Sequence, residues 1–372
     1  MTDQNFINIS KNTSVENIKD WKLENSCFRI SRSSSFALFA EEFAMGKLNS
    51  IIKQKIWIEF TYDPLKDDLE EFVRSFFCLN LIWNAEQIIY DEIDIKLKLV
   101  EHIWKIITEN RGLVGSGKLH NIISRDPDYS IPNILRDSEA TSFPHFDTFK
   151  RVFKSSGVSI LGEGIFYGSR TENDVVSYLY ESTKNSFEHG RTDNDGYSLN
   201  GFRGVSIRKI ILNLNQLNIR SDIPEFFKKY ISELVNNSKM SMESPGTGKL
   251  ISASVVDTGI GIHKTLPKLV EDESEIEILV RSFKEGETRK PSSSAIEPGH
   301  GLSNIVNASQ YLDAYLLVMS GKYIGGFDFS KKDTVISSSR FKETSRDQGT
   351  SLTIIWPPKK GGGDQIPLFG DS

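Results

Sequence analysis

At 372 residues the chain is long enough to bury a large core, and its length points to two domains or one large one; two is the expectation. Charged residues make up 26% and the formal charge is −5, so bulk electrostatics gives no case for a nucleic-acid or membrane-surface partner. Cys27 and Cys78 lie far apart with no metal-binding spacing near them, Met1-Thr-Asp-Gln-Asn5 is no leader, and no run of about 18 apolar residues occurs. These features read as a reduced, cytoplasmic protein with two buried or idle thiols.

In chain order, the polar residues 1–20 are expected to be a flexible amino terminus. An α/β domain is expected over 21–125: a strand at Cys27–Ile30, a helix over Phe36–Asn49, a strand over Ile56–Tyr62, a helix over Leu69–Trp83, a strand at Ile88–Tyr90 and a helix over Ile95–Thr108. It reads as a regulatory or partner-binding unit and resembles small signalling domains of the STAS type only loosely. Prolines and sparse apolar positions mark 126–150 as a linker. The segment Gly112-Leu-Val-Gly-Ser-Gly117-Lys118 approaches the P-loop pattern, but Leu119 stands where Ser or Thr would bind magnesium, and a helix precedes it instead of a strand. It is read as a flexible loop.

The second unit, 151–358, alternates a helix over Asn173–Glu188, a strand over Val205–Leu214, a helix over Glu225–Val235 and a strand over Leu250–Val256 that delivers Asp257 to a turn. A helix from Gly301 to Leu312 and strands at Ala314–Met319, Tyr323–Phe329 and Ser351–Trp356 complete it. Lys331–Gln348 reads as an exposed hairpin connection, and 359–372 as a flexible tail.

Four short motifs in this half carry chemistry. Glu181, Asn185 and His189 recur every four residues, which places a carboxylate and an amide one turn apart on one helix face, opposite Val175, Val176, Leu179, Thr183 and Phe187. A carboxylate there can orient a water while the amide oxygen joins a magnesium shell made mostly of waters and phosphate oxygens. Asp257-Thr-Gly259-Ile-Gly261 closes an apolar strand with a carboxylate able to accept the exocyclic amine of adenine. Gly299-His300-Gly301-Leu302 precedes a helix whose first free amides suit phosphate. Gly349-Thr350 opens the last strand. The long Gly- and Ser-bearing stretch 262–298 reads as a mobile lid.

Together these motifs resemble the GHKL superfamily of ATPases and kinases over about residues 160–357. The resemblance implies a carboxy-terminal two-layer α/β sandwich of the GHKL (Bergerat) type, with ATP and Mg2+ as ligands. It also implies Glu181 as the water-activating base, Asn185 as the magnesium ligand, Asp257 as the adenine-reading carboxylate, Gly259 and Gly261 as the first glycine box, Gly299, His300, Gly301 and Leu302 as the second, and Thr350 as support for the adenine site. Two departures separate subfamilies. Glu188 stands where many histidine kinases carry a basic residue, and His102 lacks the acidic follower of a phosphoacceptor and reads as a partly buried helix residue. Three functions stay open: an ATPase whose nucleotide state gates the lid and a protein-partner interaction, a serine-type protein kinase like the anti-sigma-factor kinases, which share Glu-x-x-x-Asn-x-x-x-His-Gly, and an ATP-sensing module without hydrolysis. A protein partner is expected; a homodimer is left open.

Overall fold

The structure, a computed structural model, describes residues 5–9, 11, 13–23, 25–32, 36, 38–48, 55–66, 75–109, 113–116, 119–125, 143–161, 169–190, 201–220, 223–284, 301–346 and 348–358. Two sheets organise an α/β chain. The first is built from β1 (Asn5–Ile9), α1 (Val15–Lys19), β2 (Ser26–Ile30), α2 (Ala40–Leu48), β3 (Trp57–Phe60), α3 (Phe76–Asn84), β4 (Gln87–Tyr90), β5 (Ile93–Asp94) and α4 (Lys96–Glu109). Strands β1 to β4 lie parallel in sequence order and β5 joins antiparallel. Parallel neighbours need a crossover, and α1, α2 and α3 lie in those connections.

The second sheet contains β6 (Leu113–Ser116), β7 (Leu119–Arg125), β8 (Phe202–Asn213), β9 (Ser241–Ser244), β10 (Thr247–Asp257), β11 (Tyr315–Ser320), β12 (Tyr323–Asp328), β13 (Phe341–Glu343) and β14 (Thr350–Trp356). Its order is β13-β12-β11-β14-β10-β8-β7-β6, with β9 paired to β10, and every pairing is antiparallel. Helices α5 (Phe146–Leu161), α6 (Ser169–His189), α7 (Glu225–Asn236), α8 (Glu275–Arg281) and α9 (Gly301–Tyr311) complete this half.

Strand β10 reads Leu250-Ile-Ser-Ala-Ser-Val-Val256 because it is buried on both faces. Ile251, Ala253 and Val255 pack in one core with Phe149 and Phe153 of α5, Val175, Val176, Tyr178 and Leu179 of α6, and Ile305 and Ala308 of α9. Leu250 and Val256 pack on the other side, in a core shared with α2, α3, α7 and the small sheet. A sheet covered on both faces favours near-continuous apolar runs over strict alternation. The amino-terminal half is thus the second cover of the large sheet: Phe76 and Trp83 of α3 meet Phe202 at ring separations of 5.8 and 5.7 Å. Phe39, buried with φ +67°, a rare conformation for a bulky residue, leads into α2 and sets its ring edge-on to Phe227 of α7 at 5.2 Å.

Several sequence expectations change. Residues 1–20, expected to be flexible, supply β1 and a helix α1 closed by a reciprocal Ser14–Asn17 capping box, held because Ile7, Ile9 and Ile18 are buried. The P-loop-like segment is not a loop: Leu113–Ser116 is β6, paired antiparallel with β7, and its Gly117 and Lys118 lie outside the described residues. Both strands extend the large sheet through β8, so the domain boundary expected after 125 falls instead before β6. Of the expected linker 126–150, residues 126–142 lie outside the described residues and Phe146 already begins α5, whose Phe149 and Phe153 stack at 4.4 Å. The tail 359–372 also lies outside them. The connection 331–348 carries β13 and buries Phe341 and Arg346. Among the described residues no helix is long and apolar enough to cross a membrane. Cys27 and Cys78 are buried free thiols, and burial pushes them up to about 11 and about 12. His102 is half-buried in α4.

Helix α6 is fastened to the sheet by Tyr178, whose hydroxyl donates to the carbonyl of Leu352 in β14 at 2.5 Å and lies 3.2 Å from that of Ala253 in β10. Tyr178→Phe leaves buried carbonyls short of a donor, and a loss of about 1–2 kcal/mol in urea unfolding is expected with little change in ring packing.

Candidate functional site

The sheet-facing stripe of α6 is Val175, Tyr178, Leu179, Ser182 and Ser186, all buried, whereas Glu181, Asn185 and His189 are half-buried on the neighbouring face. Of the residues expected on the opposite, packed face, Val175, Val176 and Leu179 are buried, but Thr183 and Phe187 are half-buried like the polar stripe, and Ser182 and Ser186 take the buried positions instead. The Asn185 side chain makes no hydrogen bond among the described residues, and Lys184 lies over the Tyr180 ring. The helix ends at Gly190, whose amide donates to the Ser186 carbonyl at 2.8 Å.

Gly190 brings the helix end onto the Asp257 turn. A Cβ at Gly190 would stand 3.3 Å from the Asp257 carboxyl carbon, and one at Gly259 would stand 2.7 Å from the Gly190 Cα. Any side chain at either position would force the helix end off the strand end. Gly190 was absent from the sequence-derived site set; the Glu-x-x-x-Asn-x-x-x-His-Gly pattern already contained it, but the reason for a glycine there is contact with a turn 67 residues away in sequence. Glu181 lies nine residues before Gly190, which along a helix is about 13 Å.

Asp257 is the last residue of β10, in register between Arg203 of β8 and Thr350 of β14, and its alternation points it toward α6. It is 7% exposed. Oδ1 accepts from the amides of Gly259 at 2.9 Å and Thr350 at 3.3 Å, and neither bond uses Oδ2. Burial raises the carboxyl above its ordinary range, opposed by the Gly259 amide, the Arg203 charge, Ser186 and the Thr350 amide. Ser182 buries a hydroxyl without a hydrogen-bond partner among the described residues, and the buried Ser186 hydroxyl is turned to the Asp257 carboxylate, whose charged form it favours.

Glycines complete the junction. Gly349, at φ +79°, donates to the Gly259 carbonyl at 2.6 Å, and a Cβ on it would stand 2.7 Å from the Asp257 carbonyl oxygen. Gly261, at φ +93°, turns the chain back onto β11, where Ser320 Oγ accepts from the Ile262 amide at 2.8 Å. Thr350 is buried beside Asp257. Of the second glycine box, Gly299 and His300 lie outside the described residues; Gly301 begins α9, which packs along α6, and Leu302 is half-buried against the same core.

The expected lid, 262–298, begins with anchored structure. His263 Nδ1 lies 3.1 Å from Ser320 Oγ, and its ring stands edge-on to Tyr323. Ser274 and Glu277 form a capping box on α8, and Arg281 pairs with Glu273 at 2.7 Å and donates to the Pro267 carbonyl. Residues 285–298 lie outside the described residues. An open cavity of about 710 Å3 lies elsewhere, at the carboxyl ends of β2, β3 and β4 among Arg32, Tyr62, Lys66 and Tyr90, and no motif residue lines it. Among the described residues no group of three or more His, Cys, Asp or Glu is placed to hold a metal.

No protein-family model matches the chain, and no curated protein matches it.

Burial depresses His263 from 6.5 to about 4. The unfolded chain therefore takes up this proton first as pH falls, so stability present above pH 6.5 is lost toward pH 4. Between pH 7 and pH 5 the His263 contribution is a loss of about 2 kcal/mol, absent in His263→Asn, as urea titrations at both pH values would read.

Proposed function

We propose that the junction of α6, β10 and β14 is an ATP pocket of the GHKL type and that the protein is a magnesium-dependent ATPase. One observation carries this reading: Asp257 is buried at a strand end, the Gly259 and Thr350 amides both use its Oδ1 and neither bond uses Oδ2, and it lies directly beneath the end of the helix bearing Glu181 and Asn185. An adenine amine is a donor that such a carboxylate accepts, and the Gly190–Gly259 approach leaves a flat floor for a base.

In this assignment the base lies at the carboxyl end of α6 and the phosphates toward Asn185 and Glu181. The residues present fit magnesium in the way that ion binds: one side-chain oxygen, from Asn185, with the other positions filled by phosphate and water. When bound, the ion supplies neutralisation of phosphate charge. Glu181 accepts a proton from a water as the water oxygen bonds to the terminal phosphorus and the bond to the bridging oxygen breaks. Gly299, His300, Gly301 and Leu302 would face the phosphates from the start of α9. Nucleotide state would be passed to a protein partner through the lid.

Glu181→Ala is expected to lower ATP turnover by about 10²–10⁴-fold while calorimetric affinity for ATP stays nearly unchanged, because the base acts on water and not on the nucleotide. Unchanged phosphate release would remove Glu181 from the base role. Asp257→Asn exchanges an acceptor for a group that also presents donors, and a loss of about 1–3 kcal/mol in adenine-nucleotide binding is expected. Incubation with γ-labelled ATP, alone and with cell extract, separates hydrolysis from the kinase and sensor readings: free phosphate, a labelled protein, or neither.

A further inference from the structure

Arg346 is among the largest fully buried side chains, at 1% exposure, in the segment between β13 and β14. Among the described residues its Nε and Nη1 have no hydrogen-bond partner, and its Nη2 donates to the Gln348 carbonyl at 3.4 Å. A guanidinium taken out of water this completely is costly and is normally matched by a bidentate carboxylate. Here no ion pair closes on it among the described residues. Two carboxylates act on it from a distance, Asp257 on one side and Glu42 of α2 on the other, and burial still lowers the guanidinium to about 10.

The seat is shaped from both sides. On α2, a Cβ at Gly46 would stand 1.9 Å from Arg346 Nε and 2.4 Å from its Cζ, so the helix admits the guanidinium only where it has no side chain. Glycine in a helix interior costs about 1 kcal/mol against alanine, which gives Gly46 a packing reason to be there. One turn earlier, Glu42 is 6% exposed, accepts a long hydrogen bond from Ser254 Oγ at 3.4 Å and leaves Oε2 without a partner. On the other side a Cβ at Gly349 would lie 3.6 Å from Arg346 Nη2 and 2.7 Å from the Asp257 carbonyl oxygen. The side chain is therefore wedged between a helix of the amino-terminal half and the junction that fixes Asp257.

We infer that Arg346 is a positioning residue through which α2 controls the Asp257 pocket: seated against Gly46, the guanidinium holds the Gly349–Thr350 junction that fixes the Asp257 carboxylate. This rests on Asp257 reading the base. The charged groups facing Asp257 are Arg203 from β8 and Arg346; those facing Arg346 are Asp257 and Glu42. Movement of α2, for example when the amino-terminal half engages a partner protein, would unseat the guanidinium and weaken nucleotide binding without touching the pocket.

The full chain is compared with Arg346→Met, Arg346→Lys and Gly46→Ala by ATP calorimetry from pH 5 to 8, and by carbon-13 titration of the Asp257 carboxyl without nucleotide. Arg346→Met is expected to raise the pH at which Asp257 loses its proton and to weaken ATP binding about tenfold, more at pH 5.5 than at pH 8, with Lys restoring part of both. Gly46→Ala is expected to reproduce the loss with every charge retained, and it decides the question if Arg346→Met fails to fold. Folded variants with unchanged titration and affinity overturn the inference. A wild-type protein that binds no adenine nucleotide overturns the ATP reading instead, while the Asp257 titration still tests the link to Arg346.

Discussion

The large sheet is buried on both faces, and the placement of nearly every polar group near the candidate site follows from that constraint. Strand β10 has helices α5, α6 and α9 on one side and α2, α3 and α7 on the other, so its interior is apolar or small. Hydroxyls that do face the rear cover are short and mostly paired with one another, as Ser254 is with Thr353 at 2.9 Å. A buried carboxylate is met by backbone amides where the strand ends and those amides become free. Asp257 occupies that place, with Gly259 and Thr350 supplying the amides.

Close backbone approach at the same place explains the glycines. Gly190, Gly259 and Gly349 each stand where a Cβ would collide with the helix end, the turn or the Asp257 carbonyl. Their effect is to bring a helix end, a strand end and a strand start within hydrogen-bond reach. Along α6, Ser186 turns its buried hydroxyl to the same carboxylate, and Ser182 buries one without a partner among the described residues. Chemistry at this junction would use rigid elements, and rigidity is what a binding site needs to fix a donor and an acceptor at once.

The rear cover gives the amino-terminal half a direct physical hold on this junction. Glu41 and Glu42 of α2 are both buried, and burial raises Glu41 despite the Arg208 charge and the Phe77 amide that oppose it. Phe39 locks the start of α2 to α7, and Gly46 near its end receives Arg346. One short helix thus touches the core of its own sheet, the rear of the large sheet and the side chain beneath Asp257. Coupling between the two halves requires no more than a change in how this helix sits.

Local pattern was enough for the elements whose signal is short-range. The four-residue spacing of Glu181, Asn185 and His189 located the helix, and the apolar run ending at Asp257 located both strand and turn, because periodicity and turn chemistry are properties of neighbours in sequence. It failed where glycine spacing imitated another motif, as in 112–118, and where polar composition concealed buried residues, as in 331–348 with Phe341 and Arg346. The sequence by itself determined an α/β chain, its strongest helices and strands, and the placing of Asp257 at a strand end. Only the tertiary structure decided that β6 and β7 belong to the large sheet, that the amino-terminal half covers its rear, and that Gly46, Gly190 and Arg346 matter. Those are consequences of contacts between segments far apart in the chain, and no local pattern encodes which surface a helix will meet.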